Sequence, residues 1–184
     1  MKTALALLLA TASLVPAFAE TPRQAPEFAI HMLDGSEKLL STYKGKTVLM
    51  AFFFTTCPHC QDMAKMLSQV QIDYAPKGVQ IVAAAFDDNA KNATGDFEKA
   101  YVHGFPMGYS DRGPVLEFLQ KSIMTPLYVP ILVFVDRKGV IQSEYIGDPT
   151  FLKEPEKSVR AELDKVLAKP AGKPASKMSK MSKK

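Results

Sequence analysis

The stretch TVLMAFFFTTCPHCQDMAKMLSQVQIDYA, residues 47–75, decides how this chain is read. Thr47–Phe54 is a continuous apolar run of strand length with β-branched and aromatic content. Such a run predicts a strand buried on both faces. After it, Met63, Met66, Leu67 and Val70 recur at helical spacing, and Pro58 suits the first turn of that helix. Pro76 and Gly78 close it. Both cysteines of the chain, Cys57 and Cys60, fall where the strand hands over to the helix.

Two thiols at this spacing admit three readings: a structural staple, a metal clip or a redox pair. A disulfide closing so small a loop removes little chain entropy. A chain of 184 residues also has length enough for a proper core without one. A structural zinc site needs four ligands, commonly from two such pairs. Here only His31, His59, His103 and carboxylates could complete it, with no spacing to recommend them. His31 and His103 read as ordinary surface or core histidines. The soft sulfurs of Met63 and Met66, with Met178 and Met181 farther on, would suit copper(I). Core packing is the commoner use of such methionines. A copper-binding or metallochaperone module using the CxxC pair therefore stays as the alternative.

The redox reading has a direct physical basis. The first N–H groups of a helix are unpaired and carry partial positive charge. A Cys57 thiolate placed there is stabilised and able to attack disulfides. Cys60, one turn along, can reach back to form or resolve a disulfide with it. Pro58 stiffens the first turn and removes an N–H that would need a partner. His59 adds a polarisable group beside the thiolate, which favours the reduced form and makes the disulfide more oxidising. No further cofactor is expected, because the Cys57–Cys60 pair itself carries the electrons.

Outward from this junction, Pro26–Lys46 reads as a hairpin turning at Asp34-Gly35. VQIVAAAF (79–86) predicts a second buried strand, and Asp87-Asp88-Asn89 a cap for the helix expected over 93–104. FPMGYS (105–110) reads as a short strand and GPVLEFLQKS (113–122) as a helix. VPILVFVD (129–136) and VIQSEYIG (140–147) form a hairpin, and 154–169 a final amphipathic helix with Val159, Leu163, Val166 and Leu167 inward. The alternation implies an α/β fold with a central mixed sheet flanked by helices. Pro130 is awkward at the start of an apolar strand. A cis Val129–Pro130 bond would remove the difficulty and leave a backbone edge free to pair with an extended substrate; an ordinary trans proline at a strand's first residue is the other possibility.

Residues 1–19 have a basic start, an apolar run and an Ala17-Phe18-Ala19 cleavage signal, so a signal peptide is expected there. The mature chain is then exported, periplasmic or secreted, where disulfides persist. No later segment is long and apolar enough for a membrane span. The formal charge of +4 comes from the end of the chain: residues 169–184 hold six lysines and no acid. Their Pro, Gly, Ser and Lys composition predicts a disordered Lys-rich tail. The intervening body, 20–168, is net acidic, which argues against a nucleic-acid partner.

These features together resemble the exported TlpA/ResA-like thiol–disulfide oxidoreductases, a thioredoxin-fold group of the redoxin (AhpC/TSA-like) kind. The resemblance rests on the PEF start and first hairpin, the strand into Cys57-Pro58-His59-Cys60, VAAAFDD, the FPMGYSDRGPVLEFLQ insertion and VPILVFVDRKGVIQSEYIG. It implies a thioredoxin-like domain over 20–168, with an N-terminal β-hairpin and an inserted strand and helix before a cis-Pro130 strand. It implies a nucleophilic Cys57, a resolving Cys60, and Pro58, His59, Val129 and Pro130 around them. The implied partners are protein thiols or disulfides and an upstream redox protein, met by a monomer. CPHC and the valine before the proline are also similar to DsbA-type oxidants, whereas the rest of the frame is that of reductants, for example in cytochrome c maturation. The direction of electron flow stays open.

The departures are specific. Thioredoxins carry a buried Asp six residues before the first cysteine, and here that position is Ala51. The related reductases often carry a Glu three residues after the second cysteine, and here that is Met63, beside Asp62. The proton acceptor for Cys60 is thus not given by the resemblance. Peroxidase chemistry of the peroxiredoxin type needs a Thr where this chain has Phe54.

Overall fold

The structure, a computed structural model, describes residues 21–169. The signal peptide expected over 1–19 and the Lys-rich tail from 170 onward lie outside the described residues. The strands are β1 (Arg23–Gln24), β2 (Ala29–His31), β3 (Glu37–Leu39), β4 (Thr47–Phe53), β5 (Val79–Ala85), β6 (Met107–Tyr109), β7 (Ile131–Val135) and β8 (Val140–Ile146). The helices are α1 (Pro58–Tyr74), α2 (Ala90–Tyr101), α3 (Arg112–Phe118) and α4 (Pro155–Leu167).

All the strands form one mixed sheet in the order β1-β8-β7-β4-β5-β6-β2-β3. The expected apolar run becomes β4, buried at every position, and it lies parallel to β5 and antiparallel to β7. Its alternate residues feed two cores. Leu49, Ala51 and Phe53 join the core under α1, α2 and α4, with Leu67, Val70, Phe97, Val159 and Leu163. Val48, Met50 and Phe52 face the other way, onto Val115, Leu116 and Phe118 of α3 and onto Phe28. Helices therefore cover both faces, as a thioredoxin-like α/β fold requires.

Three elements differ from expectation: the helix expected over 93–104 is α2, which starts at Ala90 and ends at Tyr101. The helix expected through residue 122 stops at Phe118. There Lys121 N–H reaches the Leu116 carbonyl and Gln120 N–H the Glu117 carbonyl, while Gln120 takes φ 52°. That is a Schellman turn with glutamine in the left-handed position, where glycine would have advertised the stop. The strand β1 was not anticipated. It pairs Arg23 with Ile141 at the sheet edge, and the Arg23 guanidinium meets the Glu144 carboxylate at 2.8 Å.

Candidate active site

The register of the sheet brings three loops to one edge. Phe53 at the end of β4 pairs with Ala85 at the end of β5, so Cys57 and Asp87 follow adjacent strand ends. Phe52 pairs antiparallel with Ile131, so Pro130 enters β7 at that same edge. The Val129–Pro130 peptide is cis. Chain order separates these residues widely; strand pairing alone assembles them.

Cys57 is the N-cap residue of α1, with extended backbone, and Pro58 follows at the helix start. The Cys57 carbonyl accepts from the N–H groups of Cys60 and Gln61 at 3.0 and 3.1 Å, which closes the first turn over the pair. Cys57 is half-buried, Cys60 is fully buried, and both are free thiols. His59 is exposed. Burial pushes the Cys60 thiol far up from its ordinary value. A backbone hydrogen bond from Phe54 opposes this, while the neighbouring Cys57 thiol and the charge of Asp87 reinforce it. Desolvation is the largest cause because a thiolate in this core loses its water.

A groove of ≈ 540 Å³ runs beside the pair, its lining including His59, Met63, Met66, Tyr128, Val129 and Leu152. Its lining draws on both the start of α1 and the cis-proline loop. Among the described residues, neither the N–H nor the C=O of Val129 has a backbone hydrogen-bond partner. Tyr128, Met124 and Ile123 just before it are large apolar side chains left exposed. The structure thus gathers Cys57, Cys60, Pro58, His59, Val129 and Pro130 at one site.

The other sequence candidates sit elsewhere or differently. Ala51 and Met63 are buried in the core beside Cys60 and carry no titratable group. Asp62 is turned to solvent, its side chain 79% exposed, with Lys65 at 3.8 Å. His31 faces Glu37 on the β2–β3 hairpin, and His103 is held by a hydrogen bond from its N–H to Ser68, both away from the pair. Among the described residues no three His, Cys, Asp or Glu side chains are grouped to share a metal ion.

One feature of the site was missed from sequence. Of Asp87-Asp88-Asn89, read together as a helix cap, Asp87 instead accepts from both the N–H and the hydroxyl of Thr55, the latter at 2.6 Å. The N-cap of α2 is Asn89, without a side-chain cap bond. The signal was available: an acid just past the end of a strand parallel to β4 must lie near whatever follows β4. Gly147, the glycine that closes the VPILVFVDRKGVIQSEYIG match, sits at φ 54°, where an added Cβ would stand 2.3 Å from the Tyr128 Cβ. It is the close approach of β8's end that seats the cis-proline loop.

Comparison with known proteins agrees with this geometry. The AhpC/TSA family model matches residues 22–144. Thioredoxin-like protein YneN of Bacillus subtilis is 30% identical over 130 residues, covering 70% of this chain and 72% of that protein. Thiol-disulfide oxidoreductase ResA of Bacillus thuringiensis subsp. konkukian is 29% identical over 131 residues, 71% of this chain and 72% of its own. A thiol:disulfide interchange protein of the thioredoxin family from Chlorobium tepidum shares the fold at TM-score 0.63 and 22% identity, covering 82% of this chain and 99% of its own. Matched over most of its described length, the chain belongs to the AhpC/TSA family, as a TlpA/ResA-like member with a thioredoxin fold.

Proposed function

We propose that this protein is an exported thiol–disulfide oxidoreductase that exchanges disulfides with partner proteins through Cys57 and Cys60. The observation that carries the reading is an asymmetric thiol pair: Cys57 is reachable at the N-cap of α1, and Cys60 is sealed behind it and held as a thiol. In the reducing direction the Cys57 thiolate attacks a partner disulfide, forming a mixed disulfide and releasing one partner thiolate. Cys60 then attacks the Cys57 sulfur, closing Cys57–Cys60 and releasing the second thiolate. The partner gains two electrons and the pair loses two. In the oxidising direction the same steps run backwards, and an upstream redox protein resets the pair.

The groove and the unpaired Val129 backbone support an extended polypeptide as the reacting partner, since main-chain pairing accepts many sequences. All these groups come from one chain, so a monomer suffices. Among the described residues no helix is long and apolar enough to cross a membrane. The leader of residues 1–19 is the support for export.

A Cys60→Ser variant should accumulate a partner joined through Cys57, recoverable by reductant, whereas Cys57→Ser should accumulate none. Equal trapping by both variants, or by neither, rejects the reading. The copper alternative draws on Met63, Met66 and His59 lining the groove beside Cys57. It predicts metal bound in the purified protein in proportion to chain, and loss of that metal in both cysteine variants.

A further inference from the structure

The exchange proposed above needs a group that removes the proton from Cys60, because a buried thiol is a poor nucleophile until it is ionised. The positions that serve elsewhere are filled by Ala51 and Met63, and Asp62 faces solvent. One carboxylate remains near the sulfur. Asp87 leaves the end of β5 beside the loop that leads into α1, and both donors of Thr55 hold its Oδ2. Its other oxygen, Oδ1, is shut from solvent and has no hydrogen-bond partner among the described residues. A carboxylate oxygen kept dry and unpaired is costly unless something nearby delivers a proton to it.

The loop fixes where that something is. The Phe54 carbonyl accepts from the Cys57 N–H at 3.2 Å, and the next amide, Thr55, holds Asp87. Consecutive loop residues therefore tie the cysteine turn and Asp87 together. The Gln61 side-chain amide donates to the Thr55 carbonyl at 3.3 Å, tying the same loop to α1. Around Cys60, α1 contributes Cys57, the exposed His59 and the outward pair of Asp62 with Lys65. The end of β5 contributes Asp87 and the exposed Asp88, and the cis-proline loop contributes only the exposed Tyr128. Of these, Cys57 and Asp87 act on Cys60.

The geometry points to Asp87 as the acceptor of the Cys60 proton during resolution of the mixed disulfide. The Cys60 S–H bond breaks and its proton passes to Asp87 Oδ1, directly or across one water. The Cys60 sulfur forms a bond to the Cys57 sulfur, and the bond from Cys57 to the partner sulfur breaks. The partner leaves as thiolate, and the half-buried Asp87 returns its proton to solvent. The charge that makes Cys60 harder to ionise at rest is thus the base that ionises it in the reaction.

The test rests on the proposed exchange and separates the two. The full-length reduced protein is mixed with 5,5′-dithiobis(2-nitrobenzoate) in a stopped flow across pH 5 to 9. The first release of nitrothiobenzoate reports attack by Cys57, and the second reports resolution by Cys60. With Asp87 as acceptor, the wild-type second phase is nearly flat with pH above the carboxylate range. In Asp87→Asn it slows at least about tenfold at pH 7 and climbs about tenfold per pH unit, since ionised Cys60 must then form unaided. The first phase should change less than about twofold, and Asp87→Glu should restore part of the second. A second phase in Asp87→Asn that is unchanged or faster overturns the assignment. If neither variant folds, a wild-type second phase already climbing about tenfold per pH unit overturns it alone. Absence of a second phase in the wild type at every pH would instead reject the exchange itself.

Discussion

Cys60 shows how one residue can bind stability to chemistry. Its sulfur lies in the core with Leu49, Ala51 and Phe53, and burial holds it protonated well beyond the ordinary thiol range. In the unfolded chain the same thiol ionises near about pH 8.5. The folded state then keeps a proton that the unfolded state gives up. This contribution is complete below the unfolded value and is lost as pH rises past it. Urea unfolding of the reduced wild type should therefore weaken between pH 7.5 and 10 by about 1 to 2 kcal/mol more than that of Cys60→Ala. Parallel profiles for the two proteins would show that Cys60 ionises in the fold as easily as outside it. At this scale the sequence was informative wherever placement depends on spacing: Cys57, Pro58, His59 and Cys60 lie at the first turn of α1. It marked Asp87 only through strand pairing, since an acid that caps a helix and one captured by Thr55 look alike until β5 is set beside β4.

Elements place these residues, and the end of β8 carries an unusual share of the task. Gly147 donates its N–H to the Pro130 carbonyl at 3.2 Å, and Tyr128 stands where a Cβ would otherwise project. The contact fixes the cis-proline loop opposite α1. Alanine there meets Tyr128 Cβ at 2.3 Å, backbone at 3.0 Å and a left-handed backbone as well. The Gly147→Ala variant should lose about 1 to 3 kcal/mol of stability. Its loop should shift, so reduction of a protein disulfide such as insulin should fall several-fold more than reaction with a small aromatic disulfide. Equal losses for both would show that the loop does not meet the polypeptide. Long apolar runs and tight turns made β4, β5 and the β7–β8 hairpin legible in advance, because local period and turn chemistry determine them. The two-residue β1 has no such pattern; it exists because Arg23 and Gln24 find β8, and Arg23 finds Glu144. The early end of α3 was hidden for the related reason that Gln120 stands where glycine is usual.

At the scale of the whole molecule, the redox pair hangs from the strand that both cores share. Residues of β4 alternate between the α1–α2–α4 face and the α3 face, so the site at its end is as firm as the domain. Folding and disulfide formation then share one thermodynamic cycle. The stability of the reduced protein minus that of the oxidised equals 2F times the potential of the folded pair minus that of the unfolded pair. About 1.4 kcal/mol corresponds to about 30 mV. The fold places Cys57 at the N-terminus of a 17-residue helix, next to Pro58 and His59, and a helix end of this kind favours negative charge. The disulfide offers little in return, since a loop this short scarcely restricts the unfolded chain. The reduced form should therefore unfold at higher urea than the oxidised, with a stability gap of about 1 to 3 kcal/mol that agrees in sign and size with a glutathione titration. That sign would make the protein the more oxidising partner against an unstructured CxxC pair. A more stable oxidised form would mean that the core, through buried Cys60, outweighs the helix terminus, and would assign the protein to donating electrons.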